Sequence, residues 1–142
     1  MNTFENKVAL VTGASYGIGL AIAKELASRG AHLILAARSG EKLEALASSI
    51  RSEGGKAYTF NSDLSISGSA DELFEKISSE GIKIDLLVNN AGILQSTPLN
   101  DMNFEAINSQ FIVNAVAPLK LTIDLLEPVS YTHLTLPTST HV

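Results

Sequence analysis

The 142-residue sequence contains no cysteine. Disulfides, thiolate metal sites and a cysteine nucleophile are therefore excluded. Histidine is scarce: His32, His133 and His141 are the only three, and their positions show no ligand spacing, so no metal is expected. Basic residues are also few. Ten Lys and Arg against fifteen Asp and Glu leave a formal net charge of -5, which argues against nucleic acid or an anionic membrane as partner. No apolar run approaches the length of a membrane span, and the N-terminus lacks a basic region followed by a long apolar run. The expected localisation is cytoplasmic. What is present, 45% hydrophobic and 18% charged residues, is the composition of a soluble globular domain with one core.

The chain is organised around residues 8–19, Val-Ala-Leu-Val-Thr-Gly-Ala-Ser-Tyr-Gly-Ile-Gly. A short apolar run ends in glycines, and an apolar helical pattern starts straight after them. That reads as strand, tight turn and helix N-terminus. Unsatisfied N–H groups and the helix dipole make such a start a cradle for phosphate. Gly13 permits a positive φ in the turn, and Gly17 and Gly19 remove side chains where a pyrophosphate and the neighbouring strand come close. A glycine-rich turn that binds nothing has the same local sequence.

Further along, residues 32–37 and 56–61 read as strands, and residues 84–88 as a fourth that ends in Asn89-Asn90-Ala91-Gly92. Between them lie amphipathic helices. Leu43, Leu46, Ala47 and Ile50 repeat at helical spacing behind a Ser39 N-cap, and Ala70, Leu73, Phe74 and Ile77 follow a Ser69/Glu72 capping box. A long helical pattern from about residue 103 to 126 carries Phe104, Ile107 and Phe111 on one face, and Pro118 is expected to kink or split it. Strands alternating with helices give an α/β fold, a Rossmann-like doubly wound parallel sheet. Right-handed crossovers set the strand order 3-2-1-4, with a crevice at the carboxyl ends of strands one and four. Residues 13–19, Ala37, Arg38, Asp63 and residues 89–92 all fall on that edge.

The spacing Thr12-Gly13-x-x-x-Gly17-Ile18-Gly19, with Asp63-Leu64, Asn89-Asn90-Ala91-Gly92 and Asn114 at matching separations, resembles the short-chain dehydrogenase/reductase family over residues 4–127. The resemblance implies a NAD(P)-dependent oxidoreductase that interconverts a small carbonyl and an alcohol by hydride transfer. It further implies that Gly13, Ser15, Ile18 and Gly19 surround the pyrophosphate and that Tyr16 and Gly17 belong to the same cofactor-binding loop, where NADP-dependent members often carry a basic residue in place of Tyr16. Asp63 and Leu64 take the adenine, and Asn90, Ala91 and Gly92 pack beside the adenosine ribose and keep the central sheet in shape. Asn114 takes the catalytic place of an asparagine that helps hold a water in a proton relay. Family members associate as homodimers or homotetramers through the long helix. At the end of strand two, where NAD-selective sites carry an acid, this sequence has Ala37 followed by Arg38. A guanidinium binds a ribose 2′-phosphate that an acid would repel, so NADP is expected over NAD. Residues 93–100 line part of the pocket at most.

The family's chemistry also needs a serine, a tyrosine and a lysine four residues after the tyrosine. Here Tyr131 is followed by Thr135, and no lysine comes after Lys120. Ser130 and His133, three apart, carry almost no specificity as a hydrolase pair. One back-translation of residues 129–138, GTC TCT TAT ACA CAT CTG ACG CTG CCG ACG, matches a transposon-end sequencing adapter. The expectation is a partial Rossmann domain over residues 1–127 and a non-native tail over residues 128–142. As such a fragment the chain would lack the catalytic tyrosine and lysine, leave strand four with an unpaired edge and leave an apolar helix face open. Two other readings stay open: a non-enzymatic dinucleotide-binding or sensor module, and an α/β interaction domain with vestigial glycines.

Overall fold

The structure, a computed structural model, describes residues 3–93 and 98–133, with backbone only at 99 and 127–133. Four parallel strands, β1 (Val8–Thr12), β2 (His32–Ala37), β3 (Lys56–Asn61) and β4 (Leu86–Val88), form one sheet in the order β3-β2-β1-β4. Val8 pairs with His32 and Ala9 with Leu86, which sets the register on either side of β1. The apolar runs of β1 and β2 are continuous because helices cover both sheet faces. On one face Ala9, Val11, Leu33 and Leu35 pack with α1 (Gly17–Ser28) and α2 (Gly40–Ser52). On the other, Leu10, Ile34 and Ala36 pack with α3 (Ser69–Ser79) and α5 (Ala117–His133). Lys120 Nζ links the last two helices, 3.3 Å from Asp71 Oδ1 and 3.6 Å from Asp124 Oδ1.

Three local expectations are corrected, and a fourth, the splitting of the long helical pattern at Pro118, is met. β4 has three residues rather than five, because the Asp85 carboxylate, not a strand carbonyl, accepts the Val8 N–H at 2.9 Å. The Ser69/Glu72 capping box does not form. Gly68 occupies the N-cap with φ +83°, Ser69 is the first helical residue, and its buried hydroxyl has no hydrogen-bond partner among the described residues. The long helical pattern is three pieces: α4 (Phe104–Phe111), a π-helical segment (Ile112–Val116) and α5. Pro118 explains the break, since it has no N–H for the carbonyl of Asn114 four residues back, and the Ala117 N–H instead reaches Ile112 O. Finally, the helical backbone runs past residue 126, to His133.

Phe104, Ile107 and Phe111 do share a face, and it is open: Phe104 is 80% exposed and Phe111 64%. No helix among the described residues is long and apolar enough to cross a membrane.

Candidate functional site

Segments that follow all four strands meet at the carboxyl edge of the sheet and, with Val113, line an open cavity of about 680 Å³. Gly13, Ser15, Tyr16, Gly17 and Ile18 line it after β1, Arg38 after β2, Asp63 and Leu64 after β3, and Asn90, Ala91 and Gly92 after β4. Gly19 is buried and Asn114 is not part of the wall.

The glycines do different work. Gly13 turns the chain at φ +63°, and a Cβ there would sit 2.9 Å from Ala91 Cα. Gly17 also has positive φ, +61°, yet no protein atom lies within 4 Å of where its Cβ would be, so its requirement is conformational and no neighbouring strand presses on it. Gly19 packs inward, and a Cβ would collide with Asn90 Nδ2 and Gly13 O. The first helical bond of α1 is Leu20 N–H to Tyr16 O at 3.3 Å, leaving the amides of Gly17, Ile18 and Gly19 as the helix-start donors.

Thr12 ties β1 to the segment after β4. Its Oγ1 accepts the N–H groups of Asn90 and Ala91, both at 3.0 Å, and donates to Val88 O at 3.4 Å. Asn90 Nδ2 then donates to Gly13 O at 3.1 Å. Loop and wall are thus one hydrogen-bonded unit. Asp63 Oδ1 accepts from Ser65 N at 3.0 Å and Ser65 Oγ at 2.6 Å, an Asx turn that holds the carboxyl at the cavity.

Arg38 is exposed at the end of β2. Lys42 lines the same cavity, its Nζ 5.9 Å from the centroid of the Tyr16 ring. Among the described residues neither cation forms an ion pair.

Asn114 lies in the π-helical segment, and both ends of its amide hold Ile93. Its Oδ1 accepts the Ile93 N–H at 2.9 Å and its Nδ2 donates to Ile93 O at 2.8 Å. Gly92 lies alongside, where a Cβ would be 3.2 Å from Asn114 Oδ1. Residues 94–97, part of the expected pocket segment, lie outside the described residues.

The site residues fit a nicotinamide dinucleotide. Amide donors at a glycine turn suit a pyrophosphate, the open space over Gly17 leaves room for it, and the cavity is large enough for a nucleotide. Residues 7–131 match the short chain dehydrogenase family. The chain belongs to that family.

Among this short-chain dehydrogenase's relatives, 2,3-dihydro-2,3-dihydroxybenzoate dehydrogenase of Bacillus subtilis is 40% identical over 111 residues, 78% of this chain and 42% of that protein. The 3-oxoacyl-[acyl-carrier-protein] reductase FabG of Escherichia coli is 40% identical over 119 residues, 84% of this chain and 48% of that one. A short chain dehydrogenase of Burkholderia cenocepacia, solved in complex with NADP, superposes with a TM-score of 0.82 at 31% identity, over 89% of this chain and 52% of that structure. The chain thus spans about half the length of the relatives it matches.

Three contributions escaped sequence reading. Lys42 sits on the exposed side of a helix turn, like many solvated lysines. The Thr12 hydroxyl acts only because β4 ends beside it. Asn89 Nδ2 donates to Thr122 Oγ1 at 3.2 Å and to Pro118 O at 3.4 Å, joining the end of β4 to α5. The nearest signal in the sequence was polar residues at strand ends, where a βα fold gathers its site.

Proposed function

We propose that the chain is the cofactor-binding part of an NADP-dependent short-chain oxidoreductase whose whole protein interconverts a small carbonyl and an alcohol. The observation that carries this is the cavity walled together by the glycine turn, Arg38, Asp63 and the Asn90-Ala91-Gly92 segment. When bound, the nicotinamide supplies or accepts a hydride. The amides at the start of α1 hold the pyrophosphate, Asp63 and Leu64 take the adenine, and Ala91 and Gly92 pack beside the adenosine ribose. Asn114 keeps the family's place for a relay residue. Its side chain fixes Ile93, and Pro118 withholds the donor that the Asn114 carbonyl would meet in an α-helix, which suits that carbonyl to holding a water. The whole protein assembles as a homodimer or homotetramer.

Arg38 carries the choice of cofactor. In fluorescence titrations the chain is expected to bind NADPH more tightly than NADH. Arg38→Asp should weaken NADPH by about 100-fold, because an attraction to the 2′-phosphate becomes a repulsion, and should leave NADH within about threefold. An unchanged NADPH affinity overturns the NADP assignment.

The proton donor is assigned to sequence beyond residue 127, and residues 128–142 to adapter. Reading the source locus past codon 127 is expected to replace the tail with a fifth strand and a Tyr-x-x-x-Lys. A native gene that continues through the present tail overturns this and favours a binding or sensor module.

A further inference from the structure

We propose that the outer edge of β3 is a latent pairing surface for a second copy of this chain, and that Arg51 and Glu44 of α2 hold it shut.

β3 ends the sheet, with β2 on one side and, among the described residues, no strand on the other. The Ser62 N–H donates to Ala37 O at 3.0 Å, so the backbone groups of even-numbered residues here point at β2. Alternation then turns the N–H and C=O of Ala57, Thr59 and Asn61 outward. Such a row is a template for another strand. Residues 57–62, Ala-Tyr-Thr-Phe-Asn-Ser, invite one, since they carry no charge, proline or glycine. The stretch is also complementary to itself. Run antiparallel across a two-fold axis at Thr59, Tyr58 of each copy falls opposite Phe60 of the other, and Ala57 opposite Asn61. Tyr58 is 53% exposed and Phe60 half-buried on the same face, so both rings are available for an aromatic cross-strand pair. Lys56, the charged residue of β3, falls opposite Ser62, so like charges do not meet.

The edge is occupied from α2. Arg51 lies in the last turn of that helix, and its Nε and Nη2 both donate to Ala57 O, at 3.0 and 2.8 Å. Two donors fill both lone pairs of the carbonyl that would accept the Asn61 N–H of a second copy. Glu44, two turns back on α2, anchors the guanidinium. Its Oε1 accepts from Arg51 Nη1 at 2.7 Å, and its Oε2 accepts from Thr59 Oγ1 at 3.3 Å. The pair is about half exposed, 44% and 54%, so as a surface salt bridge it contributes little stability. Its placement across an outward carbonyl gives it another task. Charged side chains set along an edge are a general bar to strand addition.

The test uses the 142-residue chain, whose lack of cysteine makes Thr59→Cys a single probe under mild oxidation. Residues facing each other across such an axis lie about 5.5 Å apart at Cα, within disulfide reach. With Arg51 in place, little cross-linked dimer is expected. Adding Arg51→Ala should speed cross-linking about tenfold, because the Ala57 carbonyl is freed from charge-assisted bonds. Adding Glu44→Ala instead, which leaves the guanidinium unanchored, should speed it about threefold. Adding Tyr58→Lys to the Arg51→Ala variant should return the rate to its starting value, because a charge replaces the ring that meets Phe60. Hydrogen exchange separates pairing from unfolding. In Arg51→Ala without the probe, at high protein concentration, the Thr59 and Asn61 amides should gain protection while those of Tyr58 and Phe60, bonded to β2, keep theirs. An unchanged cross-linking rate in Arg51→Ala, or abundant dimer with Arg51 in place, overturns the guard. A rate that Tyr58→Lys leaves high shows that β3 does not meet β3. Loss of protection at Tyr58 and Phe60 makes Arg51 a brace of the strand and overturns the proposal as well.

Discussion

Gly19→Ala is expected to destabilise the chain by about 2–4 kcal/mol, measured by chemical denaturation. The added Cβ collides with Asn90 Nδ2 on one side and Gly13 O on the other, the two partners of the bond that closes loop against wall. Overpacking alone costs about 1–3 kcal/mol, and a displaced hydrogen bond adds about 1 kcal/mol. Neither neighbour can yield cheaply, because one is backbone and the other is held through Thr12. Gly17→Ala is the control. Its φ of +61° makes alanine strained, but no atom lies within 4 Å of the new Cβ, so the cost should be about 1 kcal/mol. Equal losses at both glycines would show that backbone conformation, and not packing on Asn90, sets the requirement at residue 19.

Thr12→Val is expected to cost about 2–4 kcal/mol and to weaken NADPH binding. The substitution keeps the shape of a side chain only 1% exposed, but removes the acceptor of two N–H groups and the donor to Val88 O. Each donor left without a partner costs about 1–3 kcal/mol, reduced where the group reaches water. Thr12→Ser keeps the hydroxyl and should retain most of the stability and the binding. If valine is tolerated as well as serine, the hydroxyl does not hold the wall. Hydrogen exchange at Asn90 and Ala91 gives an independent readout, since both amides should lose protection in the valine variant alone.

Much of the fold was legible because its signals are local. β1 and β2 are apolar without alternation, which is how a strand covered on both faces reads, and the order 3-2-1-4 follows from right-handed crossovers. Gly13, Asp63 and Asn90 could be placed at the carboxyl edge of the sheet in advance because each lies within two residues of a strand end. What escaped depends on partners distant in sequence. The capping box fails because Gly68, in a left-handed conformation, already ends the turn, which no Ser/Glu spacing reveals. β4 loses two expected residues because a carboxylate replaces a carbonyl as partner for Val8. Lys42 lines the cavity from the first turn of α2, an exposed helix position that nothing in the sequence sets apart. Arg38, by contrast, could be read in advance, since its place after β2 fixes where it ends up.

The bond from Asn90 to Thr12 joins residues 78 apart, and that from Asn90 to Gly13 joins residues 77 apart. A nascent chain on the ribosome therefore makes its glycine turn long before it makes the wall that the turn leans on. At about 5–20 residues per second the interval is about 4–16 s. Over that time the helix start has no wall behind it. The turn gains its support only when Leu86, Leu87 and Val88 arrive beside the first strand.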